Sequence, residues 1–498
     1  MRPTAAGHRD RLNAVELMAC RPLALPGQEF TQRQRFKSSL MVTASGVTAV
    51  LIAPIAPCVP VHGAAEPAVV ASSAAGSASS GVGFAGFPRE HARMRQTHII
   101  IGAGQAGGWA AVAMRQAGFT GRILLIGEEP WRPYERPPLS KAMLTAEPTP
   151  EAQYFHPAEK YAQQDIELLL GTPVATLDPA AHQVRLADGR ALDYDRVLLA
   201  TGAEPRRITI PGAELAGVHY LRTLADCDVL RDRLDAGGHV VVVGAGWIGS
   251  EFAASARQRG CDVTLIDPNE LPNQRVFGAE IGAFYRDVHR DHGVELALGE
   301  SVDAFEGDGS VARVRTVAGR CIECDLVVVG IGVTPRVELA GSTGLEVDNG
   351  ILVSERLQSS APSVFAAGDV ANAWHPFYGE RIRLEHWSGA LNQGPAAARA
   401  MLGEEVSYDR IPYFFSDQYD VGMEYSGHAP RWDQVVFRGD PAEGEFVVFW
   451  LRDGRVAAGM NVNVWDVNEH VQTLIRSRQT VDVAALTDPD TPLESLAG

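Results

Sequence analysis

One unit occurs twice in this chain. "HIIIGAGQAGGWAAVAMRQAG" (98–118) and "VVVVGAGWIGSEFAASARQRG" (240–260) share an apolar strand, a GxGxxG turn, an Ala-rich helix and a closing glycine. Each runs on into a second apolar strand that ends in an acid, "RILLIGE" and "DVTLID". A lone GxGxxG says little. Set between strand and helix, with an acid at the end of the next strand, it is the fingerprint of a dinucleotide site. The residues are Gly102, Gly104, Gly107 and Glu128 in the first copy, and Gly244, Gly246, Gly249 and Asp267 in the second. The first glycine allows the tight turn, the second lets the backbone approach a pyrophosphate, and the third lets helix and strand pack closely. The free N–H groups of the helix then face the phosphates, and the acid accepts hydrogen bonds from ribose hydroxyls. Two such units predict an α/β protein with parallel sheets and room for two dinucleotides. Asp267 predicts NADH over NADPH, because a carboxylate pairs with a free 2′-hydroxyl and repels a 2′-phosphate. Pro268, Asn269 and Glu270 follow it, with no arginine to welcome that phosphate.

The rest of the chain frames these units. At 498 residues it is too long for one ordinary core. Residues 1–96 are expected to be a disordered or targeting extension. They are rich in Ala, Ser, Pro, Gly and Arg, and "SSAAGSASSGVGFAGF" (72–87) is linker material. The apolar stretch 40–61 follows Arg33, Arg35 and Lys37 like an export or anchor segment, but Pro54, Pro57 and Pro60 break its second half. Met94, just before the first strand, suits a natural start. After 403 the pattern turns to short alternating runs, predicting antiparallel strands and a helix from about 467 to 478.

A net charge of −17 argues against nucleic acid as a partner, which calls for a basic footprint. It also means that an acidic protein partner needs a local arginine cluster. The six cysteines are few and scattered, as in a reducing compartment. Cys321 and Cys324 form a lone CxxC without further ligands at metal spacing, so no metal site is expected. They read as two thiols entering the strand "DLVVVGIG".

Several further segments carry a resemblance: "LIGEEPWRPYERPPLSK", "LLATGAEPR", "YLRTLAD", "LVVVGIGVTP", "VFAAGDVA", "RLEHW" and "PYFFSDQYDVGMEYSG". With the two glycine units, they make the chain from about 97 to 480 resemble the FAD-dependent pyridine nucleotide reductases, and among these the ferredoxin reductases that feed oxygenase systems. The resemblance implies two Rossmann-like dinucleotide-binding domains, for FAD and NAD, plus a C-terminal α+β domain. The FAD domain would be split into 97–210 and 331–402, around an NAD domain at 211–330. The C-terminal domain would cover 403–486 and a tail 487–498.

The resemblance also implies site residues. Ala106, Glu128, Lys141, Val174, Arg222, Asp369 and Trp387 fall on FAD-contacting positions, Arg136 on a pyrophosphate partner, and Gly332 on the NAD side. Asp369 would accept from the ribityl chain, and by itself would also suit a helix N-cap. Trp387 would lie against the flavin ring. Lys141 and Glu251 would meet beside flavin N5, orienting the nicotinamide and stabilising charge as hydride arrives. If buried, each needs the other.

The expected activity is therefore FAD-dependent NADH:ferredoxin reduction, with hydride taken from NADH onto FAD and single electrons passed to an iron–sulfur carrier. A disulfide reductase needs a thiol near the flavin, and no cysteine lies between Gly104 and Cys227. A rubredoxin reductase, a nitrite reductase-type NADH flavoprotein and an NADH-sensing flavoprotein like apoptosis-inducing factor stay open. Docking of an acidic ferredoxin would use Arg132, Arg381, Arg383, Arg431 and Arg455. The folded part is expected not to insert in membranes, and to be cytoplasmic and monomeric or homodimeric.

Overall fold

The computed structural model of the protein describes residues 96–146 and 153–497. The expected extension, its linker and its apolar stretch lie outside the described residues up to 95.

The two repeated units form two parallel sheets. In the first, the strands run in the order Val364–Ala366, Arg196–Leu199, Thr97–Ile101, Arg122–Ile126 and Ile166–Leu169. In the second the order is Glu295–Leu298, Asp262–Asp267, His239–Val243, Leu326–Val329 and Val218–His219. Both central strands are covered on two faces, which is why their sequences are continuous apolar runs: Ile99, Ile100, Val241 and Val242 are fully buried. In register, Ile101 lies beside Ile126 and Leu199, so the first glycine turn emerges at the carboxyl edge of its sheet. Ligands bind at that edge in open α/β sheets. The chain leaves the first sheet along Ala203–Pro205 and returns along Val333–Pro335, and these two segments pair antiparallel. The second unit is thus an insertion into the first.

The chain ends in a five-stranded antiparallel sheet, ordered Tyr413–Gln418, Val421–Gly427, Arg455–Val462, Glu445–Arg452 and Gln434–Asp440. Glu445–Arg452 is buried on both faces. Val447, Phe449 and Leu451 meet the helix Asn468–Ser477 through Val471, Leu474 and Ile475. Phe446, Val448 and Trp450 meet Phe277, Ile281 and Tyr285 of the inserted unit. Trp450 Nε1 donates to the Phe277 carbonyl at 3.0 Å, tying the two together. This fixes the strand Tyr413–Gln418 against the second glycine helix.

Two expectations are corrected. Residues after 486 are not a loose tail as far as 497: Leu493 is buried, and Arg438 donates to the carbonyls of Leu486, Pro489 and Thr491. Cys321 and Cys324 do not enter one strand together. Cys321 opens a short strand of its own, Cys321–Glu323, and is exposed, while Cys324 is buried in the core that follows. Among the described residues no acid, histidine or cysteine group could hold a metal, and no helix is long and apolar enough to cross a membrane.

Candidate active site

The six loop glycines divide by what a side chain would meet. At Gly102 and Gly244, φ is +114° and +107°, and a Cβ would stand 2.1 Å from the Ala200 carbonyl oxygen and 2.4 Å from that of Gly330. At Gly107 and Gly249 it would stand 1.9 and 1.8 Å from the carbonyl oxygens of Gly102 and Gly244. The protein itself forbids these four side chains. Gly104 and Gly246 differ: nothing lies within 4 Å of a Cβ built on either, and both have ordinary extended backbone. The space in front of them faces the uncapped N-termini of Gln105–Gln116 and Trp247–Gln258, whose first turns carry no acid. That open cradle, with free N–H groups, suits a dinucleotide pyrophosphate.

A cavity of 1320 Å³ opens from the first cradle. Its wall brings together Gly102, Gly104, Ala106, Glu128, Arg136, Lys141, Val174, Arg222, Glu251, Asp369 and Trp387. Gly107, Gly244, Gly246, Gly249, Asp267 and Gly332 do not line it. Arg222 Nη2 donates to Asp369 Oδ2 at 2.7 Å. Asp369 caps no helix, contrary to the simpler reading of it. It sits in a turn leading into the strand Ala371–His375. Arg136 spends donors within the protein, on Glu129, the Tyr134 hydroxyl and the Arg222 carbonyl. Glu128 pairs with Arg336, from the returning chain, at 2.7 Å. Trp387 opens the helix Trp387–Met401, and its indole Nε1 is buried without an acceptor among the described residues. An orphaned donor at such a wall fits a ligand with acceptor atoms. His386, stacked on Phe414 at 4.3 Å, has its imidazole pushed down to about 4 by burial, so it adds no charge.

Asp267 is only 8% exposed, and its carboxylate is largely occupied. Oδ2 accepts from Ala245 N at 2.7 Å, and Oδ1 accepts from the backbone and side chain of Asn269 at 2.8 and 2.6 Å. It therefore braces the second glycine loop as well as marking the end of its strand.

The segment "RPPLSK" completes the site. Pro137 and Pro138 start a single turn of 3₁₀-helix that ends at Ser140, and Lys141 follows it. Lys141 Nζ donates to Glu251 Oε2 at 2.6 Å, with side chains 14% and 5% exposed. Ser140 Oγ donates to the same oxygen at 2.5 Å, and Ser416 Oγ donates to Glu251 Oε1 at 2.7 Å. Ser255 Oγ holds the Ser140 carbonyl at 2.7 Å. Three segments far apart in sequence thus fix one buried carboxylate. Its charge is compensated by one ammonium and two hydroxyls, which offset the cost of desolvation. The Phe415 ring lies 5.7 Å from Nζ and 6.0 Å from the Trp387 ring, closing the wall. Sequence reasoning gave Ser140, Ser255 and Ser416 no part in holding Glu251. All three lie in recognised segments, but hydroxyls carry no pattern that names a partner.

The expected arginine rim does not assemble on this wall. Arg383 is 9% exposed in its side chain and donates to Glu385 and the Asp369 carbonyl. Arg381 donates to the carbonyls of Val353 and Asn372. Arg132 lies over the Tyr154 ring at 3.5 Å. Neither they nor Arg431 and Arg455 line the cavity, where the arginines are Arg136, Arg207, Arg222 and Arg336. Among the described residues no cysteine lines it either.

Residues 96–394 match the family model described as pyridine nucleotide-disulphide oxidoreductase, and residues 413–497 match one described as reductase C-terminal. The chain is 40% identical over 366 residues to rhodocoxin reductase of Rhodococcus erythropolis, covering 73% of this chain and 86% of that one. It is 37% identical over 404 residues to putidaredoxin reductase of Pseudomonas putida, covering 80% and 96%. Among solved structures, the ferredoxin reductase for the CYP199A2 system of Rhodopseudomonas palustris matches with a TM-score of 0.79 at 37% identity, covering 81% of this chain and 100% of that one. The reductase of the covalent putidaredoxin reductase–putidaredoxin complex matches with a TM-score of 0.78, also at 37% identity, covering 80% and 97%.

Proposed function

The chain belongs to the pyridine nucleotide-disulphide oxidoreductase family, and from that premise we propose that it is an FAD-dependent NADH:ferredoxin reductase serving an oxygenase system. It is an oxidoreductase whose cofactors are FAD and NAD(P)H. The observation that carries the finer reading is the Lys141–Glu251 pair on a cavity wall without a thiol. Relatives named for ferredoxin-type carriers match 73% and 80% of this chain, and the C-terminal sheet that supplies Phe415 and Ser416 lies within the stretch matched by the reductase C-terminal model.

The first cradle, Arg222, Asp369 and Trp387 would hold FAD, and the second cradle would hold the nicotinamide cofactor. FAD, when bound, accepts a hydride and releases electrons one at a time. The chain's own part is alignment and electrostatics. Lys141 keeps a positive charge on the wall where negative charge builds up. Glu251 holds that ammonium in place, and Ser140 and Ser416 hold Glu251. The Phe415 ring packs 5.7 Å from the ammonium and narrows the wall beside the pair. The cavity wall comes from one chain, so a monomer suffices for the chemistry. A reducing cytoplasm suits the free cysteines.

The test is steady-state reduction of an iron–sulfur ferredoxin with NADH or NADPH as donor. NADH is expected to give a kcat/KM at least ~10-fold above NADPH, because the Asp267 carboxylate repels a 2′-phosphate while the nearby Arg275 is bonded to Asn269. A preference for NADPH would refute the selectivity. Slow turnover with a long-lived charge-transfer band would instead mark an NADH sensor.

A further inference from the structure

Glu128 stands just past the strand Arg122–Ile126, where an acid of a glycine unit meets the adenosine ribose of its dinucleotide. Its backbone is held from both sides. The flanking carbonyls of Gly127 and Glu129 accept from Thr172 N at 2.8 Å and Gly171 N at 3.0 Å. Its carboxylate is held at one point. Among the described residues Oε2 accepts from Arg336 Nη1 at 2.7 Å, and Oε1 accepts from nothing. Resting on the reading of the first cradle as the FAD site, we propose that Arg336 is a positioning residue for FAD. It holds the Glu128 carboxylate so that Oε1 stays free for the adenosine ribose, and it cancels the charge that Glu128 would set against the pyrophosphate.

Arg336 is fixed where this role needs it. It follows the returning segment Val333–Pro335, which pairs with Ala203–Pro205. Its amide donates to the Gly202 carbonyl at 3.0 Å, and Thr201 Oγ1 donates to its carbonyl at 2.7 Å. Thr201 and Gly202 follow Ala200, whose carbonyl oxygen leaves no room for a side chain at Gly102 in the first cradle. The Arg336 backbone is thus pinned beside that cradle. Arg336 and Glu128 both line the cavity, from positions 208 apart in sequence. Neither the glycine unit nor the returning segment shapes this end of the cavity alone.

Folding stability does not account for the pair. Its side chains are 40% and 53% exposed, and so open an ion pair contributes little to the fold. The other pairs on the wall, Lys141–Glu251, Arg222–Asp369 and Arg136–Glu129, are all more enclosed. The use of Arg336 is therefore at the ligand. FAD carries two negative charges on its pyrophosphate, and a bare carboxylate on the same wall would repel them. A carboxylate with one oxygen on a guanidinium loses that repulsion and keeps an acceptor for ribose hydroxyls.

Arg336→Met keeps most of the side chain's length and removes its charge. Titration of FAD into the apoprotein should give a Kd about tenfold above wild type, the effect of one lost charge-assisted hydrogen bond. Added salt should narrow that gap. Arg336→Lys should recover most of the affinity. The melting temperature of the apoprotein should stay within about 2 °C of wild type, as for an exposed pair. At saturating FAD the flavin reduction potential should match wild type, because the ring lies at the opposite end of the cofactor from the adenosine. In a Glu128→Gln background, Arg336→Met should change the Kd by less than about threefold, since Arg336 acts through the carboxylate. An unchanged or lower Kd in Arg336→Met would overturn the proposal, and so would full additivity with Glu128→Gln. A lower melting temperature or a shifted potential would mark a structural role and overturn it too. A wild-type apoprotein that takes up no FAD would instead refute the reading of the first cradle.

Discussion

Lys141→Ala is expected to slow reduction of bound FAD by NADH about 10²-fold, the range seen when one preorganised electrostatic donor is removed from an active site. The lysine is 14% exposed in its side chain and makes its strongest contact with Glu251. Truncating it withdraws a positive charge from the wall and strands a buried carboxylate. Stability should fall too, by roughly 3–5 kcal/mol where one partner of a buried pair is removed alone. Ser140 and Ser416 still donate to Glu251, which places this variant at the lower end of that range. The two effects separate in the double variant Lys141→Met/Glu251→Leu. With both charges gone the fold should recover much of the loss, and unfolding in urea should show a coupling of at least ~1 kcal/mol between the sites. The reduction rate should not recover. Stopped-flow flavin absorbance reads the rate, and an unchanged rate in Lys141→Ala would remove the lysine from the mechanism.

Which parts of the site could be read beforehand follows from how local each signal is. The glycine units span some twenty residues, and their spacing reflects contacts within one turn, such as the carbonyl of Gly102 against Gly107. Such contacts leave a mark on contiguous sequence. The hold on Glu251 does not. Ser416 lies 165 positions away and reaches it only because Trp450 and Phe277 lock the last sheet to the inserted unit. Charge is hard to read for a related reason. An arginine looks like solvated surface in sequence, but the Arg383 side chain is 9% exposed and donates to the Asp369 carbonyl. Asp369 looked suited to a helix cap, yet its turn enters a strand, and its partner is Arg222 from 147 positions earlier. The packed chain end after 486 hinges on Arg438, whose carbonyl acceptors are likewise set by tertiary structure.

Two alanine substitutions three residues apart should fail in opposite ways. Gly107→Ala places a Cβ 1.9 Å from a backbone oxygen that cannot retreat without unwinding the turn, and it should cost more than ~4 kcal/mol, leaving little folded protein. Gly104→Ala meets nothing within 4 Å and sits at φ −84°, ψ −162°, which any L-residue adopts. The apoprotein should unfold within about 0.5 kcal/mol of wild type. Yet the new methyl stands in the space kept open before the helix N-terminus, where backbone must approach phosphate. FAD affinity should drop at least ~10²-fold, equal to about 2.7 kcal/mol, measured by titrating FAD into apoprotein. Gly246→Ala should repeat the pattern at the second cradle: FAD is retained, while the KM for NADH rises. If Gly104→Ala bound FAD normally, the open space would be incidental and the first cradle would lie elsewhere. If it unfolded like Gly107→Ala, the glycine would be there for the protein rather than for the ligand. Only a site built around an absent pyrophosphate predicts a stable apoprotein that has lost its cofactor.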